Sequence, residues 1–275
     1  MKKRALVIGG GGLRGAYGAG VLTTLCKKLG PDYFDAVYAS SVGVFAATFF
    51  LSNQPDTIEH TWRNLVSGKQ LVNYSHLFKK GNILDLEYLV KIFQNEKSLL
   101  DIEAVMNSPS TIIYTLTEYP SGKETHLVPT RQNIFDLMRA SAALPLVYGL
   151  VTINSKKYID GGISNNLPVH KALTDGCNEI LVVHNKPEKS YGDPKSWILS
   201  HITSLYLPPA IVHLMKMSKK QMQSLEKEIF LNPRISIIRP DRQLPLTSIL
   251  DTNKHRINTS FNMGAIDAKD FLNNR

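Results

Sequence analysis

Residues Tyr38 to Phe49 read YASSVGVFAATF, two adjacent serines between an apolar run and a helix-like run. A strand that turns sharply into a helix through Ser41-Val42-Gly43 exposes one hydroxyl at the turn, where an acyl-transfer nucleophile is wanted. Backbone strain at such a turn demands small residues two before and two after the nucleophile. For Ser41 these are Ala39 and Gly43, and for Ser40 they are Tyr38 and Val42, so sterics choose Ser41. The same letters also fit a plain N-cap, in which either serine bonds the first free N–H groups of a helix.

A second group is GGGGLRG, Gly9 to Gly15, which holds G-x-G-x-x-G at Gly10, Gly12 and Gly15. A dinucleotide site would also need an acidic residue about twenty positions on, at the end of the second strand. Ala39-Ser40-Ser41 stand there instead, and Asp35 lies at the strand's other end. The physical content of the loop is broader than that label. Glycines let backbone N–H groups converge, and a helix N-terminus adds partial positive charge, so the loop stabilises any anion, including the oxyanion of acyl transfer. A structural turn for tight helix–sheet packing uses glycines in the same way. A third group, Tyr158-Ile159-Asp160-Gly161-Gly162, puts a carboxylate at the end of a β-like run, with two glycines that let the backbone turn away from it. A simple Asp-Gly turn is the alternative there.

These groups need elements to hold them. Ala5–Ile8 is a short β-type run before the glycines, and Ala16–Leu29 then carries apolar residues at helical intervals until Gly30-Pro31. Phe34–Tyr38 and Val42–Leu51 repeat the pattern, so the first fifty residues read β-α-β-α, with loops at the carboxyl edge of a parallel sheet, where sites lie. Asn53 to Asn107 is amphipathic and helical. Thr111–Thr117 with Glu124–Val128, and Val151–Ile153 with Lys157–Ile159, read as hairpins around a helix at Ile134–Ala143. Glu179–His184 is a buried strand and Ala210–Ile229 a long helix. Patterning weakens after about Pro187, where a lid or accessory layer is expected.

Apolar content of 43% and charged content of 20% are those of an ordinary globular chain, which sets aside disordered and fibrous classes. Ala5–Ile8 is too short for the apolar region of a signal peptide, and no run approaches a spanning helix. Cys26 and Cys177 have neither metal-ligand nor disulfide spacing and fit a reducing compartment. The net charge of +9 favours phosphate-rich partners, nucleic acid or an anionic membrane surface. No arginine-rich or RNP-like stretch supports nucleic acid. Trp197 to Met222 mixes Leu, Ile, Met, Tyr and Trp with Lys216, Lys219 and Lys220, a composition suited to a headgroup layer and equally to a core helix with a solvated lysine face.

Taken in order, GGGLRG, ASSVG and the DGG at Asp160 resemble the patatin-like phospholipases, acyl hydrolases that use a Ser-Asp dyad. RASAALPLVYG, Arg139 to Gly149, and DGGISNNLPV, Asp160 to Val169, are similar to the same family's segments. The resemblance runs from about Ala5 to His184. It implies an α/β fold, a three-layer α/β/α sandwich with a mainly parallel central sheet. Chain length favours a single domain over 1–275, in which residues 188–275, whose tail after Pro187 departs from the family's pattern, read as a C-terminal helical layer. The resemblance further implies Ser41 as nucleophile, Asp160 as its base, and an oxyanion hole of backbone N–H groups at Gly10, Gly11 and Gly12. Arg14, Gly15, Ala39, Gly43, Gly161 and Gly162 are the supporting motif positions, Arg14 either bracing the loop or touching substrate. Ala39 departs from the glycine of G-x-S-x-G. The expectation is a lipid or ester hydrolase without metal or cofactor, cytoplasmic and peripheral at an anionic membrane, with no nucleic-acid partner. Two other readings stay open: an α/β-hydrolase triad, for which His170, His184, His201, His213 and His255 follow Asp160, and a non-catalytic phosphate- or lipid-binding module.

Overall fold

Apolar runs alternating with glycine-rich turns wind the first half of the chain between strand and helix. The computed structural model describes residues 3–68, 70–73, 82–95, 98–188 and 207–274, with the backbone alone at 218, 219, 221, 222, 226 and 230. Strand β1 (Arg4–Ile8) leads through the glycine loop into α1 (Gly15–Leu29), and β2 (Ala36–Ser40) leads through Ser41-Val42 into α2 (Gly43–Leu51). β2 begins two residues later than its apolar run suggests. The Asp35 carboxylate accepts the Arg4 N–H at 2.6 Å, which holds Phe34 and Asp35 in the turn, and pairing starts at Ala36 opposite Ala5.

Helix α3 (Pro55–His60) runs into a π-helical turn at Thr61–Leu65, where the Val66 N–H reaches back to Thr61 O at 3.2 Å. There follow α4 (Leu86–Phe93), α5 (Ile102–Asn107), β3 (Thr111–Tyr119), β4 (Glu124–Leu127), α6 (Ile134–Ser141) and the hairpin β5 (Val151–Ile153) to β6 (Lys156–Asp160). Then come α7 (Val169–Thr174), β7 (Glu179–Val183), α8 (Pro209–Leu231), β8 (Ile235–Ile238) and α9 (Lys254–Asn273). The described strands form one eight-stranded sheet. β3, β2, β1, β7 and β8 are parallel neighbours in that order, and β4, β6 and β5 add an antiparallel edge.

Period-two alternation builds the layers. Leu6 and Ile8 of β1 face a large core with α1, α2, α4, α6 and α9, while Ala5 and Val7 face a smaller one with α7 and α8. Helices on both faces of the sheet give the three-layer α/β/α sandwich.

Strand β3 is nine residues long, and its pairing decides where the site forms. β2 runs parallel to Thr111–Thr115, β6 runs antiparallel to Leu116–Tyr119, and β4 pairs with Tyr114–Thr117. A strand has two edges, and β4 shares rungs with both others, so β2 and β6 lie end to end on the opposite edge. Their carboxyl ends, Ser40 opposite Thr115 and Asp160 opposite Leu116, meet head-on.

After residue 188 the described chain holds α8 and α9, which pack on opposite faces of the sheet, and β8, a strand that the weak patterning does not signal. Much of the expected interfacial stretch, residues 197–206, lies outside the described residues. α9 docks on α1 through the Tyr17 hydroxyl, which donates to Asp267 at 2.6 Å, and through small residues. A Cβ on Gly264 would stand 2.0 Å from Tyr17 O, so Gly264→Ala must push the helices apart. It is expected to lower stability by about 1–3 kcal/mol, as overpacking does. The check is a lower urea midpoint at unchanged slope; an unmoved midpoint would mean that α9 does not bear on α1 as closely as described.

Candidate active site

Ser41 is the first residue past β2, and its φ of 54° puts a non-glycine residue in the left-handed region. That conformation costs on the order of 1–3 kcal/mol and persists only where neighbours over-determine it. Here they do. The Ser41 N–H donates to Ser141 Oγ at 3.0 Å, and Ser141 in turn donates to Thr115 O at 2.8 Å. Val44 N–H closes the first helical turn onto Ser41 O at 3.1 Å. Gly43 packs under Ile8 and Gly9 O, and Ala39 is fully buried within β2, so the two flanking small residues sit at the crowded places assigned to them. Ser40 points elsewhere and donates to Asn165 O at 2.9 Å.

The Ser41 hydroxyl donates to Asp160 Oδ2 at 2.7 Å, and both residues are buried. Asp160 Oδ1 accepts the Gly162 N–H at 2.7 Å. Gly161 is required by close approach, because a Cβ there would fall 2.0 Å from Thr115 O. Burial pushes the Asp160 carboxyl up to about 6, and the hydrogen bonds from Ser41 and Gly162 only partly oppose it. A buried carboxylate with one hydroxyl and one N–H donor is therefore a stronger base than an exposed one.

The glycine loop lies directly against this pair. A Cβ on Gly10 would stand 2.4 Å from Ser41 Cβ, so only glycine fits beside the serine. The Gly10 N–H is already donated to Asn166 Oδ1 at 3.1 Å, and the Leu13 N–H to Ile249 O at 2.8 Å. Of the three glycines read as oxyanion donors, Gly10 is thus occupied, whereas the N–H groups of Gly11 and Gly12 have no partner among the described residues. Gly15 opens α1 against Trp62 and Val42, and the Arg14 N–H closes onto Gly11 O at 3.3 Å.

Three side chains that sequence reasoning assigned no role hold these backbones. Asn185 Nδ2 donates to Gly9 O at 2.9 Å and Gly10 O at 3.1 Å, and its Oδ1 accepts the Gly18 N–H at 3.0 Å. Asn166 and Ser141 are the other two. Asn166 lies in the quoted DGGISNNLPV and Ser141 in RASAALPLVYG, so both segments were visible and their bracing was not.

Beside the pair opens an apolar cavity of about 180 Å³, walled by Phe45, Trp62, Leu86, Leu89, Phe93 and Leu144 among others, with Gly11, Gly12, Ser41 and Asp160 at one end. Ile249 and Leu250, from the segment before α9, complete the wall.

Among the described residues no histidine is hydrogen-bonded to Ser41 or Asp160. His126 lies between Thr115 Oγ1, at 3.2 Å, and Glu124, at 2.7 Å, and His170 pairs with Glu228 at 3.2 Å. His184 is buried with neither ring nitrogen bonded, and desolvation, then Lys186 and Arg239, bring it down to about 3. His213 and His255 are exposed, and His201 lies outside the described residues.

The raised Asp160 carboxyl has a signed consequence for stability. Its folded-state value of about 6 exceeds the ordinary 3.8, so its contribution to stability is fully present below about pH 4 and lost as pH rises through 6. Wild type should therefore lose about 2 kcal/mol relative to Asp160→Asn between pH 4 and pH 7. Urea unfolding of both proteins across that range checks this; a constant difference would show that the carboxyl is not raised.

The sequence profile described as Patatin-like phospholipase matches residues 6–173. Uncharacterized protein YjjU of Escherichia coli (strain K12) is 29% identical over 195 residues, 70% of this chain and 54% of that protein. Probable lipid hydrolase 463L of Invertebrate iridescent virus 6 is 25% identical over 217 residues, 74% of this chain and 70% of that protein. The chain thus spans about half the length of the first of these relatives. Among solved structures, VipD from Legionella pneumophila aligns with 98% of this chain and 67% of its own at 13% identity, with a TM-score of 0.46.

Proposed function

The chain belongs to the patatin-like phospholipase family, and from that premise we propose that it is a lipid acyl hydrolase, a serine carboxylic-ester hydrolase in which Ser41 and Asp160 work as a dyad. The observation that carries this reading is the 2.7 Å hydrogen bond from a strained serine to a buried carboxylate at the end of an apolar cavity. Ser41 Oγ attacks the ester carbonyl carbon while Asp160 Oδ2 takes the hydroxyl proton. Charge moves to the carbonyl oxygen, toward the N–H groups of Gly11 and Gly12, which have no partner among the described residues and serve as the oxyanion hole. The C–O bond to the alcohol then breaks, the proton on Asp160 passes to the departing alkoxide, and the acyl group stays on Ser41. Water enters, gives a proton to Asp160 and attacks the acyl carbon. Collapse returns that proton to Ser41 and releases the fatty acid.

Asp160 at about 6 suits this work, stronger as a base than an exposed carboxylate yet mostly ionised at neutral pH. The name of the viral relative, a probable lipid hydrolase, supports lipid as the substrate class. The net charge of +9 fits substrate presented at an anionic membrane surface with peripheral attachment, and without an arginine-rich or RNP-like stretch a nucleic-acid partner has only that charge behind it. A non-catalytic module leaves the left-handed Ser41 without a purpose, and a histidine triad lacks its histidine among the described residues.

Ser41→Ala is expected to abolish both fluorophosphonate labelling and ester hydrolysis with the fold intact, while Ser40→Ala retains much of the activity. Asp160→Asn should lower the rate by about 10²–10⁴, the span for losing a general base. The wild-type rate should rise with pH through about 6 as Asp160 loses its proton, then level off. Alanine at His126, His170, His184, His201, His213 or His255 should leave most activity. One such variant that stays folded and loses turnover would establish a triad in place of the dyad.

A further inference from the structure

We propose that the cavity beside Ser41 takes the acyl chain rather than the head group, and that it ends at Phe93, so that the protein selects esters of medium-length saturated acids. This rests on the hydrolase reading above and names its substrate class. Beyond the Ser41–Asp160 end and its neighbour Asn166, the polar side-chain groups in the wall are the Thr61 hydroxyl, bonded to Ser98 Oγ at 2.8 Å, and the Trp62 indole N–H, a donor without acceptor capacity. A phosphate, sugar or amine placed there would lose most of its hydrogen bonds. A methylene chain loses nothing by entering.

The length of the cavity follows from α2. Phe45 stands in the first turn of α2, which begins just past Ser41, and Phe49 about 6 Å further along the helix axis. Phe45 lines the cavity and Phe49 does not. Between them lies the Phe93 ring, 5.7 Å from Phe45 and 5.0 Å edge-on to Phe49. Phe93 is 1% exposed and Phe49 1%, so the space is closed behind them. The volume of about 180 Å³ slightly exceeds the roughly 150 Å³ of an apolar cavity that takes a benzene ring, which corresponds to a chain of about six to ten carbons. A longer acyl group must leave its tail in the mouth or displace Phe93.

Trp62 lies in the wall, and Trp197 is the other tryptophan of the chain, so a Ser41→Ala, Trp197→Phe protein reports filling of the cavity through Trp62 emission alone. It is titrated with methyl esters of saturated acids from butanoate to hexadecanoate. Affinity should rise about fourfold per methylene, the fold-change of burying one, up to octanoate or decanoate, and then stop rising. Phe93→Leu should move the break to longer chains, and Leu89→Phe should move it to shorter ones. In parallel, wild-type hydrolysis of p-nitrophenyl esters should fall by about tenfold or more beyond the same length. Affinity that climbs unbroken to hexadecanoate, or a break that neither variant moves, overturns the inference, as does hydrolysis indifferent to chain length. A clear break in binding with no hydrolysis of any ester would uphold the cavity assignment and sink the hydrolase reading instead.

Discussion

One sheet register carries the site. Because β3 outruns β2 by four residues, an antiparallel strand fits against the overhang and brings its carboxyl end back to the level where β2 ends. Two parallel neighbours would present their ends side by side, about 4.8 Å apart. The head-on meeting of β2 and β6 instead aims the Ser41 hydroxyl and the Asp160 carboxylate at each other. A slip of one residue in β6 would turn Asp160 to the opposite face and bury its charge without a donor, which is strongly unfavourable. The Asp160 N–H donated to Ala143 O at 2.9 Å and the Thr117 hydroxyl donated to Asp160 O at 2.8 Å oppose that slip.

Around this register the loops are held by side chains, since neither sheet nor helix can satisfy backbone in such conformations. Asn185 binds the carbonyls of Gly9 and Gly10 from one side, and Asn166 binds the Gly10 N–H from the other. Asn166 follows Asn165, whose carbonyl takes the Ser40 hydroxyl and whose amide donates to Glu124 at 2.9 Å. The glycine loop, the serine turn and the turn after Asp160 are thus tied to one another as well as to the sheet. Among the described residues Gly11 and Gly12 keep free N–H groups because the bonding stops on either side of them, at Gly10 and Leu13.

The sheet's first strands, the turn at Ser41 and the hairpins were legible because each is written locally: an apolar run, small residues at steric pinch points, a turn dipeptide between alternating segments. What was illegible depends on distance along the chain. β8 has four residues, only one of them buried, so neither length nor alternation marks it; it exists because β7 offers it a free edge. α9 reads as a weakly amphipathic stretch whose partner, α1, lies some 240 residues earlier, and the glycine that lets them touch carries no mark of its role. The braces are equally nonlocal. Asn185 touches Gly9 across 176 positions, and an asparagine after a buried strand has no spacing that would single it out. Gly10 shows the limit of a motif: its place in G-x-G-x-x-G suggests a donor, and only the position of Asn166 reveals that its N–H is spent.

The apolar wall that would hold an acyl chain is also what raises Asp160. Desolvation is the largest influence on that carboxyl, and Leu144, Ile163 and the leucines of the cavity supply the low-dielectric surroundings. Filling the cavity with a hydrocarbon chain removes water that still reaches the open end and drives the carboxyl in the same direction. On the proposed reading, base strength and substrate binding are therefore coupled through a single property of the wall, and a polar residue introduced into it would weaken both at once, even at a position that touches neither Ser41 nor Asp160. The coupling also sets a bound. A carboxyl raised much beyond neutrality would be protonated before the serine could give up its proton, so the hydrogen bonds from Ser41 and Gly162 are as necessary as the burial they oppose.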